Sequence, residues 1–192
     1  MGASNKKSPM IKDGLKLTII EQKRALRFLA KTTLQGLREQ RRAVAAKSLV
    51  ETLIPRLSSF ALVLSFASYK GEIDLCSLNQ QLLAGQQLCL PCLSKTLFRI
   101  HTLEGLHPNP LKPNPSLYEK IALESIDCIL VPALLFDRKG FRLGKGGGFY
   151  DYLLEHRMPK TLSLGIGFKE QLVDELLPRE LHDQPVDQLF LF

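Results

Sequence analysis

Hydrophobic residues recur at helical spacing early in the chain and form short continuous runs later. The helical spacing predicts two helices, at 20–37 and 39–57, with Gly36 between them and Pro55 near the end of the second. Continuous apolar runs of about four to eight residues are typical of strands that are buried on both faces of a sheet. From these patterns we predict strands at 61–66, 87–90, 97–103, 126–131, 161–167 and 188–192, and helices at 75–83 and 149–155.

The order of these elements predicts the fold class. Strands alternate with helices from residue 60 onwards, which indicates an α/β fold with a mainly parallel central sheet. The chain has 192 residues, a length that suits one domain, which we expect at 19–192. Residues 1–18 are polar and carry several lysines without an apolar cluster, so we expect them to form a disordered basic tail.

The same patterns bear on the location of the protein. No apolar run reaches the roughly 18–20 residues of a transmembrane helix. Residues 1–16 also lack the apolar core of a secretory signal. We therefore expect a cytoplasmic protein with no membrane contact.

Positive charge is concentrated in the first quarter of the chain. Residues 1–47 hold 12 Lys and Arg against 3 Asp and Glu, a net charge of +9, whereas the remainder holds 14 against 16, a net charge of −2. A basic extension can bind nucleic acid, and it can equally place cations near the phosphates of a nucleotide. No aromatic RNA-binding motif or zinc-finger spacing accompanies the charge, so a nucleic-acid partner is not expected.

The four cysteines, Cys76, Cys89, Cys92 and Cys128, are expected to be reduced thiols. Cys89 and Cys92 have C-x-x-C spacing, but they fall at the end of a predicted buried strand, where residues i and i+3 point to opposite faces. No second C-x-x-C exists to complete a zinc site. The pattern therefore favours buried structural thiols over a redox pair.

Residues 144–148 contain four glycines in five positions and directly precede the predicted helix at 149–155. Glycine lets the backbone approach a ligand closely, and the start of a helix offers free N–H groups to an anion. The preceding strand at 126–131, with a turn at 137–140, is expected to deliver this loop. Four cationic side chains lie in this loop or just before it and indicate that it binds phosphate: Arg138, Lys139, Arg142 and Lys145. The spacing fits neither a Walker A loop nor the dinucleotide fingerprint of Rossmann folds.

The segment resembles the signature of the 5-formyltetrahydrofolate cyclo-ligase family, also called methenyltetrahydrofolate synthetases. That signature reads roughly Pro-x-x-x-Phe-Asp-x-x-Gly-x-Arg-Leu-Gly-x-Gly-x-Gly-Tyr-Tyr-Asp. The matching positions here are Pro132, Phe136, Asp137, Gly140, Arg142, Leu143, Gly144, Gly146, Gly148, Tyr150 and Asp151. Further similarity lies in Lys23-x-x-x-Arg27, in Glu72 and in Phe168-Lys169-Glu170-Gln171. The departures are Phe149 for the first tyrosine, Lys145 for tyrosine or arginine, Tyr152 for arginine, and Lys112 for glutamate in the Pro-rich segment 107–115.

The resemblance implies a Rossmann-like three-layer sandwich, similar to the ribose-5-phosphate isomerase and coenzyme A transferase group. It also implies ATP- and Mg²⁺-dependent conversion of 5-formyltetrahydrofolate to 5,10-methenyltetrahydrofolate, with a monomer expected. Implied catalytic residues are Arg142, Lys145, Tyr150 and Asp151. Implied ATP contacts are Lys23, Arg27, Arg142, Leu143, Gly144, Lys145, Gly146, Gly147, Gly148, Phe149 and Tyr150. Implied folate contacts are Ala67, Glu72, Lys145, Gly147, Phe149 and Tyr150. The implied Mg²⁺ ligands are Asp151 and Asp183, and carboxylates suit this hard cation.

Two alternatives to a cyclo-ligase stay open on sequence grounds. One is a sugar-phosphate isomerase or acyl-transfer enzyme on a similar fold, which would need no ATP. The other is a nucleic-acid-binding module that uses the basic N-terminal region, with an affinity that falls steeply as salt rises. His182 and the other histidines show no metal-ligand spacing and are assigned no role.

Overall fold

The computed structural model describes residues 17–91, 96–101 and 118–192. The predicted tail up to residue 16, Cys92, the last positions of the strand at 97–103 and the Pro-rich segment with Lys112 lie outside these ranges. The predicted helices are confirmed within two residues: α1 (Ile19–Gln35), α2 (Glu39–Leu57), α3 (Cys76–Ala84) and α4 (Phe149–His156). Thr18 caps α1, and its hydroxyl accepts from the Glu21 N–H while the Glu21 carboxylate accepts from the Thr18 N–H.

The described residues form ten strands in two sheets: β1 (Val63–Leu64), β2 (Leu88–Pro91), β3 (Leu97–Ile100), β4 (Tyr118–Ile121), β5 (Cys128–Pro132), β6 (Leu135–Asp137), β7 (Arg142–Leu143), β8 (Leu162–Gly167), β9 (Leu172–Val173) and β10 (Gln188–Leu191). The central sheet has the order β10-β8-β5-β1-β2-β3-β4. Its neighbours from β10 to β2 pair in parallel, whereas β3 and β4 pair antiparallel at one side. The predicted mainly parallel sheet is therefore confirmed.

Successive residues of the central strands point to opposite faces of the sheet and enter two separate cores. Val63, Leu88 and Leu130 pack in a cluster with buried residues of α1, α2 and α3. Leu64 and Ile129 pack in a second cluster with residues of α4. Burial on both faces explains why these strands have continuous apolar runs rather than alternating ones. The result is the expected three-layer arrangement of helices, sheet and helix.

A second, three-stranded sheet with the order β7-β6-β9 corrects the expected path into the glycine loop. We expected the strand that became β5 to deliver the loop after one turn. Instead the chain passes from β5 into an antiparallel β6–β7 hairpin, and β7 leads into residues 144–148. The hairpin strands have three and two residues, which is too short to produce a periodic signal in the sequence.

Cys89 and Cys128 are free and buried, and burial raises the pKa of each thiol to about 12. Such thiols are poor nucleophiles at neutral pH. The structural role expected for Cys89 is therefore supported. No helix in the described ranges is long and apolar enough to cross a membrane.

Gly140 lies in the hairpin turn with φ +80°, where the turn touches the segment before β10. A Cβ there would lie 2.5 Å from the Val186 carbonyl oxygen, and the Val186 N–H already donates to the Gly140 carbonyl at 2.9 Å. We expect Gly140→Ala to cost at least about 1–3 kcal/mol of unfolding free energy from backbone strain alone. Thermal unfolding would show this as a loss of about 2–4 °C per kcal/mol.

Gly36→Ala is the matched control for that substitution. Gly36 ends α1 at φ −75°, and the nearest atom to an added Cβ lies 3.5 Å away. Its melting temperature should therefore stay near that of the unmodified chain. Equal losses in the two variants would show that the close approach at Gly140 does not matter.

Candidate active site

The glycine loop lies between α1 and the loop that follows β1. The Arg27 Nε donates to the Gly144 carbonyl at 2.9 Å. On the other side the Lys145 ammonium lies 2.6 Å from Glu72 Oε1. Ligands of open α/β sheets bind beyond the carboxyl ends of the strands. The loop after β1 and the glycine loop, which the chain reaches from β5 through the β6–β7 hairpin, meet there. The structure thus brings together four residues that the sequence singled out far apart.

The backbone of the loop leaves room for a ligand. Gly146 and Gly148 have φ values of +103° and +64°, and Gly148 is the N-cap of α4 without a side chain to occupy its first N–H groups. A Cβ added at Gly144, Gly147 or Gly148 would meet nothing within 4 Å. These glycines therefore line open space beside free helix N–H groups, which is a suitable place for phosphate oxygens.

Arg142 and Asp151 form an ion pair beneath this loop. Nη2 of Arg142 donates to Asp151 Oδ1 at 2.7 Å, and Nη1 donates to the Gln184 carbonyl at 2.7 Å. The Arg142 side chain is only 3% exposed. Burial lowers the pKa of Arg142, while the charge of Asp151 and its hydrogen bond oppose that shift. Arginine titrates so high that the guanidinium stays charged, and it is held in a fixed orientation.

Lys23 of α1 is nearly buried and binds two carboxylates. Its ammonium lies 2.7 Å from Glu180 Oε2 and 2.6 Å from Asp183 Oδ2. Burial opposes the charge on Lys23, but the hydrogen bonds to Asp183 and Glu180 outweigh it and raise the pKa. The pKa of Asp183 is lowered overall. Burial opposes the charged carboxylate, but the hydrogen bonds from Lys23 and the Glu180 N–H outweigh burial. In this structure the Lys23 ammonium therefore binds carboxylates.

The segment at 177–184 contains site residues that sequence reasoning missed. Glu180 contacts Lys23, and Gln184 supplies the carbonyl that orients Arg142. His182, to which no role was assigned, has a ring nitrogen grouped within 4.8 Å of the carboxylates of Glu180 and Asp183. The segment is polar and aperiodic, so no pattern in the sequence marks these positions.

Glu72 and Arg142 both lie close enough to Tyr150 to affect its hydroxyl. Burial raises the pKa of the Tyr150 hydroxyl, and the negative charge of Glu72 raises it further, while Arg142 opposes the shift. The hydroxyl therefore stays protonated and can donate a hydrogen bond. Tyr69, which the sequence did not single out, has its N–H bonded to Glu72 Oε2 at 2.8 Å and its ring 5.0 Å from the Lys145 ammonium.

The remaining predicted contacts have different environments. Leu143 is buried in the core, so it can offer a ligand only its backbone. Phe149 packs edge-on against the Tyr150 ring, with centroids 5.1 Å apart. Ala67 is exposed just beyond β1. Gln171 is buried, and its amide nitrogen donates to the Ala133 carbonyl, so it ties the end of β8 to the β5–β6 connection.

The two predicted Mg²⁺ ligands retain acceptor capacity. Asp151 uses Oδ1 for Arg142, and Asp183 uses Oδ2 for Lys23 and the Glu180 N–H. Within the described ranges the second oxygen of each accepts no hydrogen bond. Mg²⁺ is commonly bound by one or two carboxylates together with phosphate oxygens. By their chemistry the two carboxylates therefore suit this cation.

Comparison with known proteins places the chain in a family. The family model for 5-formyltetrahydrofolate cyclo-ligases matches residues 19–191. The chain belongs to the 5-formyltetrahydrofolate cyclo-ligase family. The 5-formyltetrahydrofolate cyclo-ligase of Escherichia coli K12 is 36% identical over 132 residues, which cover 63% of this chain and 72% of that protein. The mouse 5-formyltetrahydrofolate cyclo-ligase is 36% identical over 75 residues, covering 37% of this chain and 36% of that protein.

Solved structures of cyclo-ligase family members support the same assignment. The 5,10-methenyltetrahydrofolate synthetase of Aquifex aeolicus superposes with a TM-score of 0.74 at 31% identity, covering 87% of this chain and 88% of that one. The synthetase from Mycoplasma pneumoniae gives a TM-score of 0.67 at 22% identity, covering 87% and 96%, and this supports the fold alone. Family membership confirms the resemblance read from residues 131–154, and the family's enzymes are ATP-dependent ligases.

Proposed function

We propose that this cyclo-ligase family member binds ATP and Mg²⁺ and converts 5-formyltetrahydrofolate to 5,10-methenyltetrahydrofolate, releasing ADP and phosphate. The observation that carries the proposal is the open glycine loop at the start of α4, between Arg27 on one side and Lys145 with Glu72 on the other. A loop of this kind suits a polyphosphate, and the acidic and aromatic groups beside it suit a second, organic substrate.

The triphosphate would lie along the glycine loop. Backbone N–H groups at the start of α4 would donate to its oxygens, and the helix dipole favours the negative charge there. Arg27, Lys145 and Arg142 would neutralise charge as it shifts during transfer, with Lys23 acting through Asp183. Asp151 and Asp183 would hold Mg²⁺, which would supply further neutralisation of the phosphate charge.

The chemistry explains why ATP is needed. A formyl oxygen bound to an amide-like carbon is a poor leaving group, so the enzyme first makes it a good one. The formyl oxygen attacks the γ-phosphorus, and the bond from that phosphorus to the bridging oxygen of ADP breaks. Folate N10 then attacks the formyl carbon and loses its proton, while phosphate departs with the former formyl oxygen. The methenyl bridge between N5 and N10 results.

The protein's part in both steps is positioning and charge stabilisation, and no nucleophilic side chain is required. Glu72 would accept a hydrogen bond from the pterin, and the protonated Tyr150 hydroxyl would donate to the formyl group or a phosphate oxygen. Phe149 in place of a tyrosine would contribute ring packing without a second hydroxyl.

A monomer in the cytoplasm is the proposed setting. The free thiols of Cys76, Cys89 and Cys128 are compatible with a reducing compartment.

Absorbance at the band of the methenyl product tests the reaction directly. With 5-formyltetrahydrofolate and Mg²⁺ present, the band should grow only when ATP is added, and EDTA should stop it. ADP should accumulate in equal amount to the product. Product formation without any nucleotide would contradict the need for ATP. No product with ATP would contradict the reaction and favour the isomerase or acyl-transfer alternatives.

A further inference from the structure

Asp137 is a fully buried carboxylate that binds two separate segments of the chain. Its Oδ1 accepts from the Lys139 N–H at 2.9 Å and from the Phe141 N–H at 3.1 Å, inside the β6–β7 turn. Its Oδ2 accepts from the Leu177 N–H at 3.2 Å and from Arg179 Nη2 at 3.0 Å, across the turn. One side chain thus joins the hairpin to the beginning of the segment at 177–184.

Each of these two segments leads directly into the proposed site. The hairpin continues into Arg142 and the glycine loop, five positions beyond Asp137. The other segment continues into Asp183 and Gln184. The two segments meet again where Arg142 Nη1 donates to the Gln184 carbonyl at 2.7 Å. The position of the buried guanidinium relative to Asp183 therefore depends on how firmly the segments are joined.

Arg179 makes the second contact across the same junction. Besides its bond to Asp137, its guanidinium lies 3.7 Å from the centre of the Phe141 ring. A buried carboxylate needs a partner of opposite charge, because an uncompensated one is costly. Arg179 supplies that charge from the segment at 177–184 to a carboxylate of the hairpin, so electrostatics favour keeping the two together.

We propose that Asp137, paired with Arg179, is a positioning residue for the phosphate side of the site. It touches no substrate; it fixes the hairpin that carries Arg142 against the segment that carries Asp183. The inference rests on the proposed cyclo-ligase reaction for its kinetic readout, but the contact itself can be tested without that reaction.

Asp137→Asn is the main test, because it keeps the shape and presents an amide donor to groups that are themselves donors. We expect kcat to fall and the KM for ATP to rise, each at least about tenfold, because hydrogen bonds to a charged group are lost at the junction. Assays are run well below the melting temperature of each variant. A purely structural role would lower the melting temperature and leave both constants unchanged under those conditions.

Asp127→Asn is the matched control. Asp127 Oδ2 accepts from the Ala61 and Leu62 N–H groups at 2.9 and 3.0 Å, and it joins the beginnings of β1 and β5 at the opposite end of the sheet. This variant loses comparable backbone contacts and should keep kcat and the KM for ATP within about twofold. Equal kinetic losses in both variants would overturn the proposal.

Arg179→Met covers the case in which Asp137→Asn does not fold. The Arg179 side chain is partly exposed, and methionine can keep packing on Phe141 while removing the charge. We expect the same kinetic changes, at about threefold or more. The proposal would be overturned if Arg179→Met folds and keeps the unmodified kcat and KM for ATP, while Asp137→Asn either fails to fold or also keeps both constants.

Hydrogen exchange separates this inference from the proposed reaction. In Asp137→Asn, or in Arg179→Met, amides at 177–179 should exchange faster than in the unmodified chain, with those around Phe141 also affected in Asp137→Asn. If the unmodified chain forms no product, the proposed reaction is refuted. The exchange rates still show whether Asp137 and Arg179 hold the two segments together. Unchanged exchange at both segments would refute the contact.

Discussion

Asp151→Asn is expected to lower kcat by at least about a hundredfold, which corresponds to about 2.7 kcal/mol of lost transition-state stabilisation. Asp151 lies in the first turn of α4, and Arg142 holds one of its oxygens at 2.7 Å. The other oxygen is available for the cation that would accompany the triphosphate. Asparagine keeps the shape and an acceptor for Arg142, but it removes the charge that a hard divalent cation requires.

The measurement is steady-state turnover at saturating ATP, together with a Mg²⁺ titration. The concentration of Mg²⁺ that gives half-maximal rate should rise in Asp151→Asn. Asp174→Asn serves as control, because that carboxylate is 82% exposed and, among the residues that the structure describes, pairs with Arg138 alone. A variant at position 151 that retains more than about a tenth of the turnover would remove Asp151 from the mechanism.

Arg142→Gln is expected to raise the KM for ATP at least about tenfold, since a hydrogen bond to a charged group is worth about 1.5–3 kcal/mol. Reversing the charge is a poorer experiment, because a glutamate at this buried position would face the Asp151 carboxylate and destabilise the fold. Glutamine keeps a donor for the Gln184 carbonyl, so the local backbone has less reason to move.

Arg138→Gln is the control for that variant, because Arg138 belongs to the same cationic segment but is 68% exposed. Its KM for ATP should not change. A KM that is unaffected by Arg142→Gln would contradict the role of the buried guanidinium in holding phosphate. Because Arg142 and Asp151 contact each other, the double variant should cost less than the sum of the two single effects.

The parts of the fold that the sequence predicted are those in which local pattern and final environment agree. Parallel strands buried on both faces require continuous apolar runs, and helices α1 to α4 show helical spacing. The glycine loop was recognisable because glycine and cations have few other reasons to concentrate before a helix. Lys145 was identified with this loop, whereas Arg27 and Glu72 were identified from the resemblance to the cyclo-ligase family before their contacts were known.

The hairpin and the second sheet could not be predicted in this way. β6, β7 and β9 have two or three residues each, and β6 pairs with β9 through Phe136 and Leu172, 36 positions apart. No periodic signal exists over such short spans. Their positions are set by tertiary pairing rather than by local preference.

The predicted roles of the cations were incomplete for a related reason. Lys23 was read as a phosphate ligand from the family resemblance, and Arg142 from its place among the cations before the glycine loop. The structure surrounds them with Glu180, Asp183 and Asp151, and these contacts depend on a distant polar segment. Spacing along a helix shows which residues share a face but not which loop will lie against that face.

The ion pair between Lys23 and Asp183 joins residues 160 positions apart, and the contact between Arg27 and Gly144 spans 117. Bringing such distant positions together carries a loop-closure cost, and folding slows as contacts become less local. Helices α1 and α2 depend on near neighbours and can form early. The catalytic surface cannot form early, because it requires α1 to pack against both the hairpin and the segment at 177–184. A refolding chain should therefore regain its helical structure before it regains turnover, and catalytic activity should be among the last properties to return.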